Sequence, residues 1–223
     1  MGKEIKLIAF DLDGVLINIK SSWQYIHDYV GSSTIVKRGR GIKLYSEGKI
    51  SYQEWVDIDV QAMLIAKPTL SIHDIEEAFS KVKLEPSAKF VTKVLKNLGY
   101  KLAIVSAGIE QLAKRVANEL GIDIVRANPL QFSKDGRLIG GIAMVEPLAK
   151  DKVIKDIAKQ LGIELSEVAY IGDSEWDLSA LKVVGLPIVL NCSKCLEQLD
   201  NAILINCLWE VLPIILRHRR NPR

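Results

Sequence analysis

The chain has 223 residues, of which 48% are hydrophobic and 26% are charged. This is the composition of an ordinary globular protein, and it excludes an intrinsically disordered chain. No apolar run reaches the ~20 residues needed to cross a bilayer. The first ten residues carry Lys3, Glu4 and Lys6 and lead directly into an apolar run. We therefore expect neither a membrane segment nor a targeting peptide, and we predict a cytoplasmic protein.

The positive net charge comes from the end of the chain. The formal net charge is +3, but residues 217–223 contain four arginines, so the remainder carries −1. A basic tail of this kind is typical of a solvated segment rather than of a basic face on a fold. We therefore expect no nucleic-acid partner.

Two of the three cysteines, Cys192 and Cys195, have the C-x-x-C spacing of redox pairs and zinc sites. A structural zinc ion normally takes four ligands, and the sequence contains no second pair. We expect free thiols in a reducing cytosol, and a disulfide as the alternative if the source is thermophilic.

The first part of the chain predicts one strand followed by a helical insertion. Residues 6–10 form a short apolar run, which predicts a buried strand. Between residues 21 and 83, apolar side chains such as Trp23, Ile26 and Tyr29 recur at helical spacing, without strand-like alternation. We predict an all-helical cap at residues 17–85, inserted into a core formed by residues 1–16 and 86–223.

Strands and helices alternate after residue 86. We predict strands at 101–105, 123–126, 168–171, 187–190 and 202–205, and helices at 87–98, 109–120, 151–161, 176–183 and 208–216. Two further strand-like runs, 130–133 and 138–145, flank Asp135-Gly136, which is a hairpin signal. The alternation predicts an α/β fold with a doubly wound, Rossmann-like parallel sheet. Such sheets bind ligands beyond the carboxyl ends of their strands.

Residues able to carry chemistry follow the predicted strands or begin a helix. They are Asp11, Asp13 and Gly14 after the first strand, Ser106, Ala107 and Gly108 after the second, Lys150 and Lys152 at a helix start, and Asp173 and Asp177 after a later strand. Each alone is more simply explained as a cap, a turn former or a solvated charge. Their joint placement at one edge of the sheet predicts a single site.

The residue types in this set suit the hydrolysis of a phosphate monoester. Asp11, Asp13 and Asp173 offer the hard oxygen ligands that Mg²⁺ prefers, and Lys150 adds a fixed positive charge. Ser106 and the backbone N–H groups of residues 107 and 108, at a predicted helix N-terminus, could bind phosphate oxygens. One carboxylate could then attack phosphorus and form an aspartyl-phosphate. A neighbouring aspartate could exchange the proton.

In their order along the chain, these segments resemble the four motifs of the haloacid dehalogenase (HAD) superfamily of phosphohydrolases. The motifs are Asp11-Leu12-Asp13-Gly14-Val15, Ser106, Lys150, and Gly172-Asp173 with Asp177. The resemblance implies that Asp11 is the nucleophile, and that Asp13 is the general acid/base and a magnesium ligand through its backbone carbonyl. It also implies that the Asp173 side chain binds magnesium and that Asp177 supports the site through water or neighbouring groups. A small phosphorylated metabolite would be the substrate.

Within the superfamily, the chain is most similar to the phosphoserine phosphatase branch. The sequence around Lys150, rather than Lys152, is similar to that branch's lysine motif. The helical insertion, Asn128 and the Asp135-Gly136 hairpin resemble the same branch.

The residues that would bind the substrate depart from that branch. Its cap carries a glutamate that binds the substrate ammonium group and an arginine that binds the carboxylate. Here Lys20 stands in place of the glutamate, residues 55–59 contain Asp57 and Asp59 but no arginine, and Trp176 replaces an asparagine of the fourth motif. We therefore expect a phosphate ester other than phosphoserine.

The helical insertion also carries several aromatic residues, namely Trp23, Tyr25, Tyr52 and Trp55. We interpret them as ordinary packing residues, and stacking against a substrate is the alternative.

Three other functions use similar residues. A receiver-type phosphoacceptor domain shares the acidic, hydroxyl and lysine groups, but its acceptor aspartate follows a later strand than its acidic pair. A phosphomutase or phosphotransferase would pass the group to another hydroxyl, and a binding module would keep only the fold. The sequence does not determine the oligomeric state.

Overall fold

A computed structural model describes residues 3–220, and its elements follow in chain order. The strands are β1 (Leu7–Phe10), β2 (Lys101–Ile109), β3 (Ile124–Asn128), β4 (Leu130–Phe132), β5 (Leu138–Gly141), β6 (Val168–Gly172), β7 (Leu186–Leu190) and β8 (Ile203–Ile205). The helices are α1 (Ser22–Val30), α2 (Ser33–Gly39), α3 (Gly41–Ser46), α4 (Tyr52–Ala66), α5 (Ile72–Ser80), α6 (Ala88–Asn97), α7 (Glu110–Leu120), α8 (Lys150–Leu161), α9 (Leu178–Leu181), α10 (Ser193–Leu196) and α11 (Val211–Arg220). The end of the predicted solvated tail, residues 221–223, lies outside the described residues.

Six strands form one parallel sheet in the order β3-β2-β1-β6-β7-β8. The predicted doubly wound α/β fold is confirmed. The four residues of β1 are buried, because this strand pairs with β2 on one side and β6 on the other and both faces of the sheet are covered. Alternate side chains enter the two apolar cores, with Ile8 and Phe10 in one and Leu7 and Ala9 in the other.

Three predicted boundaries near the carboxyl edge of the sheet are wrong, because side-chain and tertiary hydrogen bonds decide them. Strand β2 continues to Ile109, which pairs with Asn128 after a register shift, and does not end at residue 105. Strand β5 ends at Gly141, and the amides of residues 143 to 145 donate to the side chains of Gln53 and Asn128 instead of to a neighbouring strand. The helix predicted at 176–183 is a 3₁₀ turn at Glu175–Asp177 followed by α9.

Helices α1 to α5 lie between β1 and α6, in agreement with the predicted helical insertion. The two chain crossings are joined by hydrogen bonds, from the Asn18 amide to the Lys83 carbonyl at 3.2 Å and from the Glu85 amide to the Leu16 carbonyl at 2.9 Å. Helix α4 begins with a capping box in which Ser51 and Glu54 satisfy each other's amides. The assignment of residues 17–85 to a separate cap domain stays a prediction.

The expectation of free thiols at Cys192 and Cys195 is wrong. The two residues form a disulfide, because the turn from β7 into α10 brings their Cα atoms to 5.4 Å. Cys207 is a free, exposed cysteine.

Within residues 3–220, no helix is both long enough and apolar enough to span a membrane.

Candidate active site

The carboxyl ends of three neighbouring strands bring the predicted site residues together. Strand β1 lies between β2 and β6, so the residues that follow β1 and β6 are adjacent to the end of β2. Residues from these strand ends, together with residues of the helical insertion, surround a cavity of about 430 Å³. Seven predicted residues line it: Asp11, Asp13, Ser106, Ala107, Gly108, Lys150 and Asp173. Segments more than 160 residues apart in the sequence thus meet at one place, as predicted.

Gly14 lies so close to the Asp173 carboxylate that only glycine fits at this position. Its φ is +78°, and a Cβ atom added there would lie 2.2 Å from Oδ2 of Asp173. A larger residue would therefore displace that carboxylate as well as strain the backbone.

Lys150 forms the buried centre of the site. Only 1% of the residue is exposed, and its Nζ lies 2.6 Å from Oδ1 of Asp177 and 3.1 Å from Oδ2 of Asp11. Burial alone would lower the pKa of Lys150, but the two carboxylates outweigh it and hold the pKa above its ordinary value. Lys150 is therefore a permanent cation beside Asp11. Lys152, the alternative considered from the sequence, is exposed.

The Asp177 carboxylate is fully engaged with other protein groups. Its Oδ1 accepts from Lys150 and from the Tyr170 hydroxyl at 2.7 Å. Its Oδ2 accepts from the amides of Asp173 and Ser174 at 3.1 and 3.2 Å. Gly172 permits this contact, because a Cβ there would lie 2.5 Å from the Asp177 side chain. Asp177 thus orients Lys150 and the loop that carries Asp173.

Asp11 is 6% exposed, and its Oδ1 accepts a 2.7 Å hydrogen bond from the Leu12 amide. Burial raises the pKa of Asp11 to about 7; Lys150 opposes this rise, and Asp177 and Asp13 add to it. A further cation beside Asp11 would lower its pKa and favour the ionised form.

The two carboxylate oxygens of Asp13 differ in their surroundings. Oδ2 accepts hydrogen bonds from the amide and the hydroxyl of Ser22 at 2.9 and 2.8 Å. Oδ1 is buried and has no hydrogen-bond partner within the described structure. Burial raises the pKa of Asp13 to about 6, although the Ser22 hydrogen bonds oppose it. Oδ1 is therefore the atom available to hold a proton.

The acidic residues fit a hard divalent cation. Oxygen atoms of Asp11, Asp173 and Asp177 lie within 4.8 Å of one another, which suits oxygen coordination. Burial raises the pKa of Asp173, opposed mainly by Lys20. The exposed Lys20 ammonium group lies 2.7 Å from Oδ2 of Asp173, so a positive charge already occupies the outer side of this carboxylate.

The predicted helix N-terminus at Ser106–Gly108 is wrong. These residues belong to β2, and α7 begins two residues later, at Glu110. The Gly108 amide donates to Oγ of Ser106 at 3.0 Å. A Cβ at Gly108 would lie 2.8 Å from Oδ2 of Asp13, so only glycine allows the two segments to approach this closely.

Several residues of the site were not predicted from the sequence. Ser22 and Tyr170 were missed, because a serine at a helix start and a tyrosine in a buried strand have ordinary structural explanations. Asp59 also lines the cavity, although the sequence marked it only as the place of a missing arginine. Trp23, Tyr52 and Trp55 line the same cavity, so their interpretation as ordinary packing residues is incomplete, whereas Tyr25 is not among the lining residues.

Comparison with known proteins gives matches along most of the chain. Residues 5–185 match the family model of haloacid dehalogenase-like hydrolases. A phosphoserine phosphatase from Methanocaldococcus jannaschii is 32% identical over 96% of this chain and 100% of its own length. One from Archaeoglobus fulgidus is 28% identical over 88% of this chain, which spans only 55% of that relative.

Two solved structures are similar in sequence and in fold. A substrate-bound phosphoserine phosphatase complex superposes with a TM-score of 0.77 at 30% identity, covering 95% of this chain and 99% of the other. A phospho-aspartyl intermediate analogue of phosphoserine phosphatase gives a TM-score of 0.73 at 29% identity, with the same coverage.

The sheet, the buried lysine and the acidic cluster define an enzyme that acts on phosphate esters. The chain belongs to the haloacid dehalogenase-like hydrolase family. The predicted class of enzyme, a phosphatase, is confirmed by these matches.

Proposed function

We propose that the chain hydrolyses small phosphate monoesters with the help of Mg²⁺ and uses Asp11 as its nucleophile. The observation that supports this most strongly is the contact between Lys150 and Asp11 at 3.1 Å, in the same cavity as Asp13 and Asp173. A phosphate group in this cavity would meet a fixed cation, a nucleophilic oxygen and a proton donor. These three groups are what monoester hydrolysis needs.

The first step transfers the phosphoryl group to the protein. A carboxylate oxygen of Asp11 attacks phosphorus, and the bond from phosphorus to the alcohol oxygen breaks as the aspartyl-phosphate forms. The departing oxygen takes a proton from Asp13, whose Oδ1 is free of other hydrogen bonds in the described structure.

The second step returns both aspartates to their starting state. A water molecule gives a proton to Asp13 and attacks phosphorus, and the bond from Asp11 to phosphorus breaks. Ser106, which lines the same cavity and accepts a hydrogen bond from the Gly108 amide, would donate its hydroxyl to one of the remaining phosphate oxygens.

The residues that would hold Mg²⁺ are Asp11, Asp173 and the backbone carbonyl of Asp13, while Asp177 supports them. Bound Mg²⁺ supplies positive charge that neutralises phosphate oxygens. This positive charge would lower the pKa of Asp11, which burial raises to about 7, and so favour the ionised nucleophile. Burial raises the pKa of Asp13 to about 6, and its Oδ1 would hold and release the proton.

The substrate we propose is a small phosphorylated metabolite other than phosphoserine. The relatives are phosphoserine phosphatases, but Lys20 replaces the glutamate of that branch and no arginine lines the cavity within the described residues. Transfer of the phosphoryl group to another alcohol is the alternative, and it would leave less free phosphate than alcohol product.

The test replaces Asp11 with Asn. We expect p-nitrophenyl phosphate hydrolysis with Mg²⁺ to fall at least 1,000-fold, roughly the loss that follows removal of a catalytic nucleophile. Circular dichroism should be unchanged, because the amide preserves the size of the side chain. Asp156→Asn, an exposed position in α8, is the matched control and should keep full activity. An Asp11→Asn variant with near-normal turnover would refute the assignment.

A further inference from the structure

The cavity that contains the reacting groups also has aromatic walls, which we call the aromatic part of the cavity. Trp23, Tyr52, Trp55 and Trp176 line it, together with Ile42 and Val56. The indole N–H of Trp23 and the hydroxyl of Tyr52 both donate to the Ala107 carbonyl, at 3.0 and 2.9 Å. The polar atoms of these two residues are therefore engaged by the protein, and ring surface remains for a ligand.

A single acidic side chain, Asp59 of α4, lies among these rings. The residue lines the cavity but is only 5% exposed. Its Oδ1 has no hydrogen-bond partner in the part of the chain that the structure describes. The closest basic atom is Nε2 of the buried His27, which is 3.6 Å from Oδ1 and is itself without a hydrogen-bond partner.

A buried carboxylate oxygen without a hydrogen bond is unfavourable, because this atom has lost water without gaining a donor. Burial accordingly raises the pKa of Asp59, although His27 and, to a smaller extent, Trp55 oppose the rise. A cation that enters the cavity would supply the missing partner and restore the negative charge.

Among the described residues, the cavity lining offers no comparable partner for an anionic leaving group. Of its two lining lysines, Lys150 contacts Asp11 and Lys20 contacts Asp173, so both are paired with carboxylates of the proposed reacting groups. A carboxylate on the leaving group would instead face Asp59 and the rings. The charge of this region therefore favours a cation and disfavours an amino acid.

We propose that the aromatic part of the cavity binds the ammonium group of an amino-alcohol phosphate, with Asp59 as its counter-ion and Trp23, Tyr52 and Trp55 around it. Aromatic faces attract organic cations, most strongly when the site excludes water. This inference rests on the proposed phosphatase function and specifies its substrate class.

The first test compares two esters of the same shape. Choline phosphate has a positively charged quaternary nitrogen where 3,3-dimethylbutyl phosphate has a neutral quaternary carbon. The two esters therefore differ in charge but hardly in shape. We expect KM to be roughly 10- to 30-fold lower for choline phosphate, the range that a desolvated cation–aromatic site supports. Ethanolamine phosphate should also be preferred over phosphoserine. Equal KM values for the two isosteric esters would overturn the inference.

The second test removes the charge of Asp59. Asp59→Asn should raise KM for choline phosphate about 10-fold or more and leave KM for the neutral ester unchanged. Asp57→Asn, an exposed position two residues earlier in α4, is the matched control. If Asp59→Asn affects both esters equally, Asp59 has a structural role with His27 and the inference is wrong. Should Asp59→Asn fail to fold, Trp55→Leu tests the aromatic wall in the same assay, with the same selective loss expected.

Failure of the inference can be distinguished from failure of the proposed function. Hydrolysis of p-nitrophenyl phosphate without a preference for choline phosphate leaves the phosphatase intact and rejects the ammonium site. If no ester is hydrolysed, the ammonium site is tested by tetramethylammonium binding, followed by tryptophan fluorescence. Saturable quenching in the wild type that Asp59→Asn weakens would support the site, and its absence would reject it.

Discussion

Replacing Lys150 with Met tests whether the buried lysine holds the site together. Met is close to Lys in length, so the substitution removes the charge and creates little cavity. At an effective dielectric constant of about 20, unit charges attract by roughly 6 kcal/mol at the 2.6 Å distance to Asp177 and roughly 5 kcal/mol at the 3.1 Å distance to Asp11. Much of this attraction offsets the desolvation of the three buried charges.

The loss of stability has an upper limit, because an uncompensated carboxyl group can take up a proton. Protonating one aspartate at pH 7 costs roughly 4 kcal/mol. We therefore expect Lys150→Met to lower the free energy of unfolding by about 3–5 kcal/mol at pH 7. In the variant, the pKa of a buried carboxyl lies above its unfolded value, so stability is lost as the pH rises. The loss should shrink to about 2 kcal/mol at pH 5.

Guanidinium unfolding, followed by tryptophan fluorescence in EDTA at both pH values, measures this effect without any contribution from metal binding. Lys152→Met, an exposed position in the same helix, is the control and should change stability by less than ~0.5 kcal/mol. Adding Asp177→Asn to Lys150→Met should recover part of the loss. The reasoning would be refuted if Lys150→Met lowered the free energy of unfolding by less than about 1 kcal/mol at pH 7. It would also be refuted if the loss were equal at both pH values.

Two further predictions concern the helical insertion and the motif glycine. The salt bridge with Lys67 at 2.6 Å is the largest cause that lowers the pKa of Asp74 to about 2. Asp74→Ala should therefore cost about 1–2 kcal/mol at neutral pH, a difference present above pH ~4 and lost as the pH falls towards 2 in thermal melts. Gly14→Ala should abolish phosphatase activity, because the new Cβ would displace Asp173. Gly31→Ala should keep activity in the same assay.

The Gly31 control separates backbone strain from steric conflict. Gly31 has φ +81°, similar to Gly14, but no atom lies within 4 Å of its added Cβ. Both variants should lose about 1–2 kcal/mol of stability, and only Gly14→Ala should lose activity. Equal activity in the two variants would contradict the geometry. For Asp74→Ala, a stability difference that persists unchanged at pH 2 would show that the carboxylate charge is not its cause.

Local sequence patterns predicted the elements well where one residue type or period dominates. The apolar strand β1, the αL glycine Gly121 that ends α7, and the Asp135-Gly136 hairpin are examples. Boundaries near the site were predicted less well. Beyond the end of strand β5, the Asn128 side chain accepts two amides, and no local pattern records a partner that lies 16 residues away.

The sequence alone predicted that Asp11, Asp13, Lys150 and Asp173 meet at one site, because each follows or begins an element whose position in a parallel sheet is predictable. What surrounds these residues depends on the packing of the whole chain. Ser22 donates two hydrogen bonds to one oxygen of Asp13, and Asp59 lines the cavity together with aromatic side chains. Both arrangements depend on how the inserted helices pack over the sheet. Contacts between distant segments are set by packing, which leaves no periodic signal in either segment.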